Sequence, residues 1–314
     1  MKILIIGAGG VGIGLATSVA SQGAEVSIFA RGETAKAIRN NGIKRTGLFT
    51  HYEISDVPVY EKYGEIPKES FDYIFISSKT TANEDIANNL SEHKDIMKKD
   101  AKIIIFQNGF GNDESYLKYF TKEQVFSARV ITGFTRPERH ISEVTVYTEP
   151  ILLGSLQGEN PNDLQEIAEM ITKSGIRCEL TTEVDKYLWA KMLYNCTLNP
   201  LGAILDVTYG QLTENPYTLE LMDNIIEEIF EVIKASPYET LWGNADEYKD
   251  IFYSKLVPDT YNHYSSTHQD IKKHIRTEID SLNGKVIQLG NKYNIQVNTN
   301  KFIYNLIKAI ESTF

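Results

Sequence analysis

Lys2-Ile3-Leu4-Ile5-Ile6 runs directly into Gly7-Ala8-Gly9-Gly10-Val11-Gly12, a short apolar run followed at once by glycines in G-x-G-x-x-G spacing. The first reads as a buried strand. Each spaced glycine meets a separate physical need, since Gly7 permits a tight turn, Gly9 lets backbone approach a pyrophosphate, and Gly12 lets the next helix pack closely on the strand. The following helix would present free N–H groups and a partial positive charge to the phosphates. Ile13 to Ala20 can form that helix, and Glu25 to Phe29 supplies a second strand at the expected distance. A strand, glycine turn, helix and strand in this order open dinucleotide-binding folds.

Further apolar runs at Tyr73 to Ser77, Ile103 to Phe106 and Val125 to Ile131 alternate with polar helical stretches, the pattern of a mostly parallel sheet covered by helices. Val144 to Tyr147 and Ile151 to Leu153 read as a hairpin extending the same sheet. Pro161 to Ser174 reads as a helix, and Ile176 to Leu180 as a short strand. After Thr182, helical periodicity takes over at Glu183 to Leu198, Leu219 to Ala235, Ala245 to Leu256, Ser266 to Ile275, Glu278 to Tyr293 and Phe302 to Ile310. The expected fold class is α/β: an N-terminal Rossmann-like dinucleotide-binding domain, residues 1–180, then an all-helical substrate and catalytic domain, residues 181–314.

Composition is consistent with this. A chain of 314 residues is natural for two domains, and 42% hydrophobic with 24% charged residues fits a globular protein. A net charge of −10 argues against a nucleic-acid partner. The apolar opening is expected to be strand, loop and helix, since glycines interrupt it and no basic leader or small-residue cleavage site is present. No membrane association is expected. Cys178 and Cys196 are too few for a disulfide framework, and the six histidines form no ligand-spaced cluster, so no metal and a cytoplasmic location are expected.

The second strand ends Ile28-Phe29-Ala30-Arg31 rather than on the carboxylate that accepts from a ribose 2′-hydroxyl. Arg31 can instead pair with a 2′-phosphate, which favours NADPH; a solvated arginine opening a loop is the plainer reading. Lys79 in Ser77-Ser78-Lys79-Thr80 and Asn108 in Gln107-Asn108-Gly109 fall at the carboxyl ends of strands, where ligands bind, and either would serve equally as a turn residue. In the helical half, Lys191, Asn195 and Asn199 recur at i, i+4 and i+8 and share one helical face among apolar neighbours. Such a stripe lines a polar pocket or meets solvent. Further on, Ser266 with Gln269 has capping-box spacing, and Glu278 in a first helical turn would complement the dipole; those structural roles are sufficient for both.

Taken in order, Gly7-x-Gly9-x-x-Gly12, the Lys79 turn, Gln107-Asn108-Gly109, Lys191-x-x-x-Asn195-x-x-x-Asn199-Pro200, Ser265-Ser266 and Thr277-Glu278-Ile279-Asp280 resemble the ketopantoate reductase (2-dehydropantoate 2-reductase) family over essentially the whole chain. The resemblance implies that Gly7, Gly9, Gly12, Arg31, Lys79 and Asn108 contact NADPH. It implies Lys191 as general acid, Glu278 as the group that orients it or receives the substrate hydroxyl, and Asn195, Asn199 and Ser266 as substrate-binding residues. The implied reaction is NADPH-dependent reduction of a small 2-oxo acid, 2-dehydropantoate, on the route to pantothenate and coenzyme A. An ammonium group suits it, because a ketone oxygen gathers negative charge as hydride reaches the carbon.

The chain also departs from the family pattern. Thr135-Arg136-Pro137-Glu138-Arg139-His140 and Tyr147-Thr148-Glu149-Pro150 stand where a glycine-rich stretch is usual, Tyr209 replaces a polar residue, and Asn294-Ile295-Gln296-Val297-Asn298 lacks the usual proline-containing loop. These changes leave the reaction type intact and bear on substrate identity. The same residues would serve a related D-2-hydroxyacid dehydrogenase acting on another branched 2-oxo acid. A non-catalytic NADPH sensor is the alternative of another class. Aromatic residues such as Tyr217, Phe230 and Tyr261 fill the helical half as core or interface; some could form a homodimer contact, and monomer and dimer both stay open.

Overall fold

The computed structural model describes residues 1–314, which separate into two compact units. The first holds Met1–Gln107 and Asn112–Val184; the second holds Asn108–Gly111 and Asp185–Phe314.

The first unit contains strands β1 (Lys2–Ile6), β2 (Glu25–Phe29), β3 (Ile43–Gly47), β4 (Tyr52–Ile54), β5 (Val59–Tyr60), β6 (Phe71–Ile76), β7 (Met97–Ile105), β8 (Val125–Arg129), β9 (Gly133–Glu138), β10 (Ile141–Val146), β11 (Ile151–Gly154) and β12 (Cys178–Leu180). Its helices are α1 (Gly10–Ala20), α2 (Gly32–Asn41), α3 (Asn83–Glu92), the short α4 (Glu114–Leu117) and α5 (Gln165–Lys173). Eight strands form one sheet in the order β12-β11-β8-β7-β6-β1-β2-β5. All neighbours are parallel except β11, which runs antiparallel to β8. Both faces are buried, so β1 sends Ile3 and Ile5 into one apolar layer and Leu4 and Ile6 into the other. That is why its sequence is a continuous apolar run.

The remaining strands correct one expectation. Instead of a hairpin between the runs at 144–147 and 151–153, β10 joins a separate four-stranded sheet, β4-β3-β10-β9, while β11 enters the main sheet. The second sheet covers α1 from outside. Gly10 and Gly14 of α1 lie against the Phe134 backbone and ring, and Ser142 donates to the Gly10 carbonyl at 2.7 Å. All residues from Gly12 to Val19 are therefore buried, which explains why α1 is apolar around its whole circumference. Arg45 of β3, fully buried, is held by the Ser18 and Ser174 hydroxyls and the Ser174 and Thr50 carbonyls.

The second unit is all helix: α6 (Val184–Leu205), α7 (Tyr209–Leu212), α8 (Pro216–Ala235), α9 (Ala245–Ile251), a π-helical turn (Phe252–Leu256), α10 (Val257–Asp259), α11 (Ser266–Lys272), α12 (Asn283–Tyr293) and α13 (Asn298–Glu311). On α8, Met222, Ile225, Ile226, Ile229, Val232 and Ile233 form one buried stripe at helical spacing. Glu228 of the same helix accepts from the Thr299 and Asn300 amides at 2.7 and 2.9 Å, so a carboxylate caps the N-terminus of α13. No helix of the structure is long and apolar enough to cross a membrane.

Several helix boundaries differ from the periodicity, and two of the differences have a specific physical reason. Helix α12 begins at Asn283 rather than Glu278, because a 3-10 turn over Ile279–Ser281 and an irregular Leu282 separate them. Helix α6 runs on through Pro200 to Leu205 instead of ending at Leu198. An interior proline removes one backbone donor and costs about 3 kcal/mol. Here the orphaned acceptor is the Cys196 carbonyl, and the fully buried Asn283 side chain donates to it at 3.1 Å. The same Asn283 amide group donates to Asn300 at 3.0 Å.

Denaturant unfolding tests this account. Asn283→Ala is expected to cost about 2 kcal/mol, because it strands a buried carbonyl and removes a buried amide. Pro200→Ala restores a backbone N–H to that carbonyl. In that background the cost of Asn283→Ala should shrink by about 1 kcal/mol, whereas strictly additive costs would overturn the assignment.

Candidate active site

The first turn of the chain is built around missing side chains. Gly7 sits at φ +110°, and a β-carbon there would run into the Ser78 amide; one at Gly12 would strike the Gly7 carbonyl. Ser77 donates to that same carbonyl at 2.7 Å, fixing β6 to the loop. Gly9 is different: a β-carbon on it would meet nothing within 4 Å and would project into open space. Gly9 is also the N-cap of α1, and no side chain caps that helix. An uncapped helix N-terminus beside an unfilled glycine cradle has the form that receives a phosphate, so these residues fit a dinucleotide.

Arg31, two residues beyond β2, is the N-cap of α2, its guanidinium 5.6 Å from the centre of the Phe29 ring. A carboxylate does reach this turn, though from another strand. Glu61, just beyond β5, accepts from the Gly32 amide at 3.0 Å and from Arg39 at 2.7 Å. The Arg39 contact, then the Gly32 amide, hold its pKa below the usual range. The charge on Glu61 is thus already matched by Arg39. Lys79 begins the turn after β6, and Gln107 fixes that turn by donating to the Ser78 carbonyl at 2.9 Å and to Asn83 at 2.7 Å.

Asn108 belongs with the helical unit. Its neighbour Phe110 donates its amide to the Ser281 carbonyl at 3.1 Å and packs on Trp189 and Tyr238 with ring centres 4.9 and 4.8 Å away. Gly109, at φ +94°, lies against Ser281 where a β-carbon would clash. These contacts present Asn108 to α6. Lys191 donates to the Asn108 carbonyl oxygen at 2.6 Å, and the Asn108 amide approaches Glu278 Oε2 at 3.4 Å. Glu278 is only 8% exposed. Lysine and glutamate, 87 positions apart in the chain, are therefore joined through one asparagine.

Along α6 the other polar residues sit in graded environments. Asn195 is buried one turn beyond Lys191. Asn199, a turn further, receives a 2.6 Å hydrogen bond from Tyr209 on its Oδ1, and Ser265 donates to its backbone carbonyl at 3.0 Å. Burial, with the nearby Tyr194, pushes the Tyr209 phenol far above its usual pKa, so it stays a donor. That fixes the Asn199 amide with its NH₂ group turned away from Tyr209. The capping expectation for Ser266 is corrected: the cap of α11 is Ser265, whose hydroxyl accepts from the His268 amide at 2.9 Å, and Ser266 is the exposed first residue of the helix. Sequence places Gln107 in a motif of the resemblance and Tyr209 among its departures, and assigns neither the hydrogen bond it makes. Their positions, at a strand's carboxyl end and ten residues past Asn199, are the local signals for those bonds.

A Rossmann-like unit with an open glycine cradle, and a helical unit that joins a lysine to a buried glutamate, define a two-domain oxidoreductase. Known proteins agree. The family description "Ketopantoate reductase PanE/ApbA" matches residues 3–158, and "Ketopantoate reductase PanE/ApbA C terminal" matches residues 183–311. The 2-dehydropantoate 2-reductase of Aquifex aeolicus is 36% identical over 312 residues, covering 99% of this chain and 97% of its own. That of Pyrococcus horikoshii is 29% identical, covering 99% and 98%. Among solved structures, a PanE/ApbA family ketopantoate reductase from Ralstonia eutropha superposes with a TM-score of 0.86 at 24% identity, covering 100% of this chain and 99% of its own. A D-mandelate dehydrogenase in ternary complex with NADH and anilino(oxo)acetate also gives 0.86, at 23% identity and the same coverage. The chain belongs to the ketopantoate reductase PanE/ApbA family.

Gln107→Leu removes both buried donors that hold the Lys79 turn. It should lower stability by about 1–3 kcal/mol and speed amide hydrogen exchange across residues 77–83. Unchanged exchange there would show that the turn stands without Gln107.

Proposed function

We propose that this chain reduces 2-dehydropantoate to pantoate with NADPH, serving pantothenate and coenzyme A synthesis. The Lys191–Asn108–Glu278 set carries the reading, supported by the full-length likeness to relatives named for that reaction. Bound nicotinamide supplies the hydride. Lys191 faces the ketone oxygen as a donor, stabilises the charge that gathers there and delivers a proton to it. A lysine is already protonated near neutral pH, so this direction needs no large change in its proton affinity. Asn108 holds the ammonium by its carbonyl oxygen, and Glu278 steadies the other end of that amide. In this reading its buried carboxylate also receives the substrate hydroxyl. Asn195 and Asn199 offer amide donors to the substrate carboxylate, with Asn199 aimed by Tyr209; Ser266 joins them from the start of α11. Gly7, Gly9, Gly12, Arg31 and Lys79 hold the cofactor. Two residues beyond β2 stands Arg31, which favours the 2′-phosphate of NADPH.

A second reading keeps the machinery and changes the substrate. D-mandelate dehydrogenase shares this fold, and Tyr209 beside Asn199 alters the surroundings of a proposed carboxylate ligand. Another branched 2-oxo acid, with NADH accepted, is then the substrate.

Loss of absorbance at 340 nm, with each cofactor against 2-dehydropantoate and a panel of 2-oxo acids, tests both. The expected result is fast oxidation of NADPH by 2-dehydropantoate. Lys191→Ala should cut kcat by about 10²–10⁴-fold and leave the cofactor Kd within a few-fold. Turnover of a different acid would move the substrate, and tight cofactor binding with no turnover would make the chain a sensor instead.

A further inference from the structure

The segment Thr135 to His140, where the chain departs from the family pattern, is not idle surface. Strand β9 lays it along the glycine loop: the Phe134 and Thr135 carbonyls lie against Gly10, and Arg136 donates through Nη1 to the Ala8 carbonyl at 2.8 Å. Arg139, one residue into the β9–β10 turn, approaches the Thr34 hydroxyl in the first turn of α2 at 3.5 Å. Arg31 is the N-cap of that same helix. Three guanidinium groups thus border the two places where a dinucleotide carries phosphate: the glycine loop and the turn after the second strand.

The local carboxylates have closer cations than these three, although the Arg139 charge also acts on Glu33. Glu33 pairs with Lys36 and Glu61 with Arg39, each at 2.7 Å, whereas Arg31, Arg136 and Arg139 form no ion pair. Desolvation by the surrounding chain, then the like charge of Arg139, lowers the Arg136 pKa. Like charges gathered against an open backbone cradle are stable only weakly by themselves and strongly with an anion between them. A guanidinium has five donors in a fixed fork, and the Ala8 carbonyl occupies one.

We propose that Arg136 and Arg139 are cofactor-phosphate ligands supplied by the second sheet, Arg136 to the pyrophosphate over the glycine loop and Arg139, beside Arg31, to the ribose 2′-phosphate. The assignment rests on the dinucleotide reading above. It gives Arg139 a part in the choice of NADPH over NADH, and Arg136 an equal part for both.

Fluorescence titration of the full chain with NADPH and with NADH, without substrate, tests it. Arg136→Gln removes the charge and keeps a polar side chain on β9, and the lysine variant separates loss of charge from loss of the Ala8 contact. The glutamine variant should weaken both dinucleotides by about tenfold or more. Arg139→Gln, on an exposed turn, should weaken NADPH by a similar factor, leave NADH unchanged, and weaken 2′,5′-ADP in parallel. Lysine at either position should restore part of the loss. Affinities within twofold of wild type would overturn the proposal, as would an Arg139→Gln loss equal for both dinucleotides. If the wild-type chain binds neither, the dinucleotide reading itself fails, which is a separate result.

Discussion

The α/β unit depends on one close approach, the first turn of α1 seated on the Gly7 carbonyl. Only a residue without a side chain can stand at Gly12, since a β-carbon would overlap that oxygen and crowd the Ser77 hydroxyl that binds it. Once α1 is drawn down onto β1 and β6, its outer face is still apolar and must be covered. The second sheet does this, with Phe134 across Gly14 and Ser142 on the Gly10 carbonyl. A steric condition at one glycine thereby decides why a second sheet exists, and that sheet brings Arg136 to the loop.

In the helical unit the governing condition is how polar groups are satisfied among apolar neighbours. Helix α6 carries a lysine, two asparagines and a proline through a core that includes the fully buried Trp189. Three of these demands have a specific answer: Lys191 meets Asn108, Asn199 meets Tyr209, and the carbonyl freed by Pro200 meets Asn283. An unsatisfied group of this kind costs about 1–3 kcal/mol, so these pairings are conditions of folding. They also fix side-chain direction. The same hydrogen bonds that make the helix tolerable in a core hold its polar face in one geometry, as a site that must not reorganise requires.

What the sequence discloses follows from the range of the interactions. Strand β1, the glycine loop and α1 are legible because their spacing is local and their periodicities differ. The second sheet is not. Ile43-Lys44-Arg45-Thr46-Gly47 and Gly133-Phe134-Thr135-Arg136-Pro137-Glu138 carry neither alternation nor an apolar run, since one hides a buried arginine and the other lies largely exposed. The lysine–asparagine stripe can be placed on one face from spacing alone. That Asn108 joins it cannot be read from spacing, because the contact is made by Phe110 seated between Trp189 and Tyr238, far away in the chain. Spacing misplaces the cap of α11 by one residue because Ser265 and Ser266 are chemically identical, and only burial distinguishes them.

Charge gives the last connection. The chain carries a net −10, yet a dinucleotide phosphate and a 2-oxo acid are both anions, so the average field opposes both. At physiological ionic strength that field is screened within about 8 Å, and what an arriving anion meets is the local set of groups. Around the glycine loop those groups are three arginines outside any ion pair, while the nearby Glu33 and Glu61 are held by Lys36 and Arg39. At the helical site the cation is Lys191, which donates to Asn108 Oδ1, and the Asn108 amide in turn approaches the Glu278 carboxylate. The asparagine shared by lysine and glutamate fixes the direction of the ammonium group, so its donors are held in one geometry before any anion arrives.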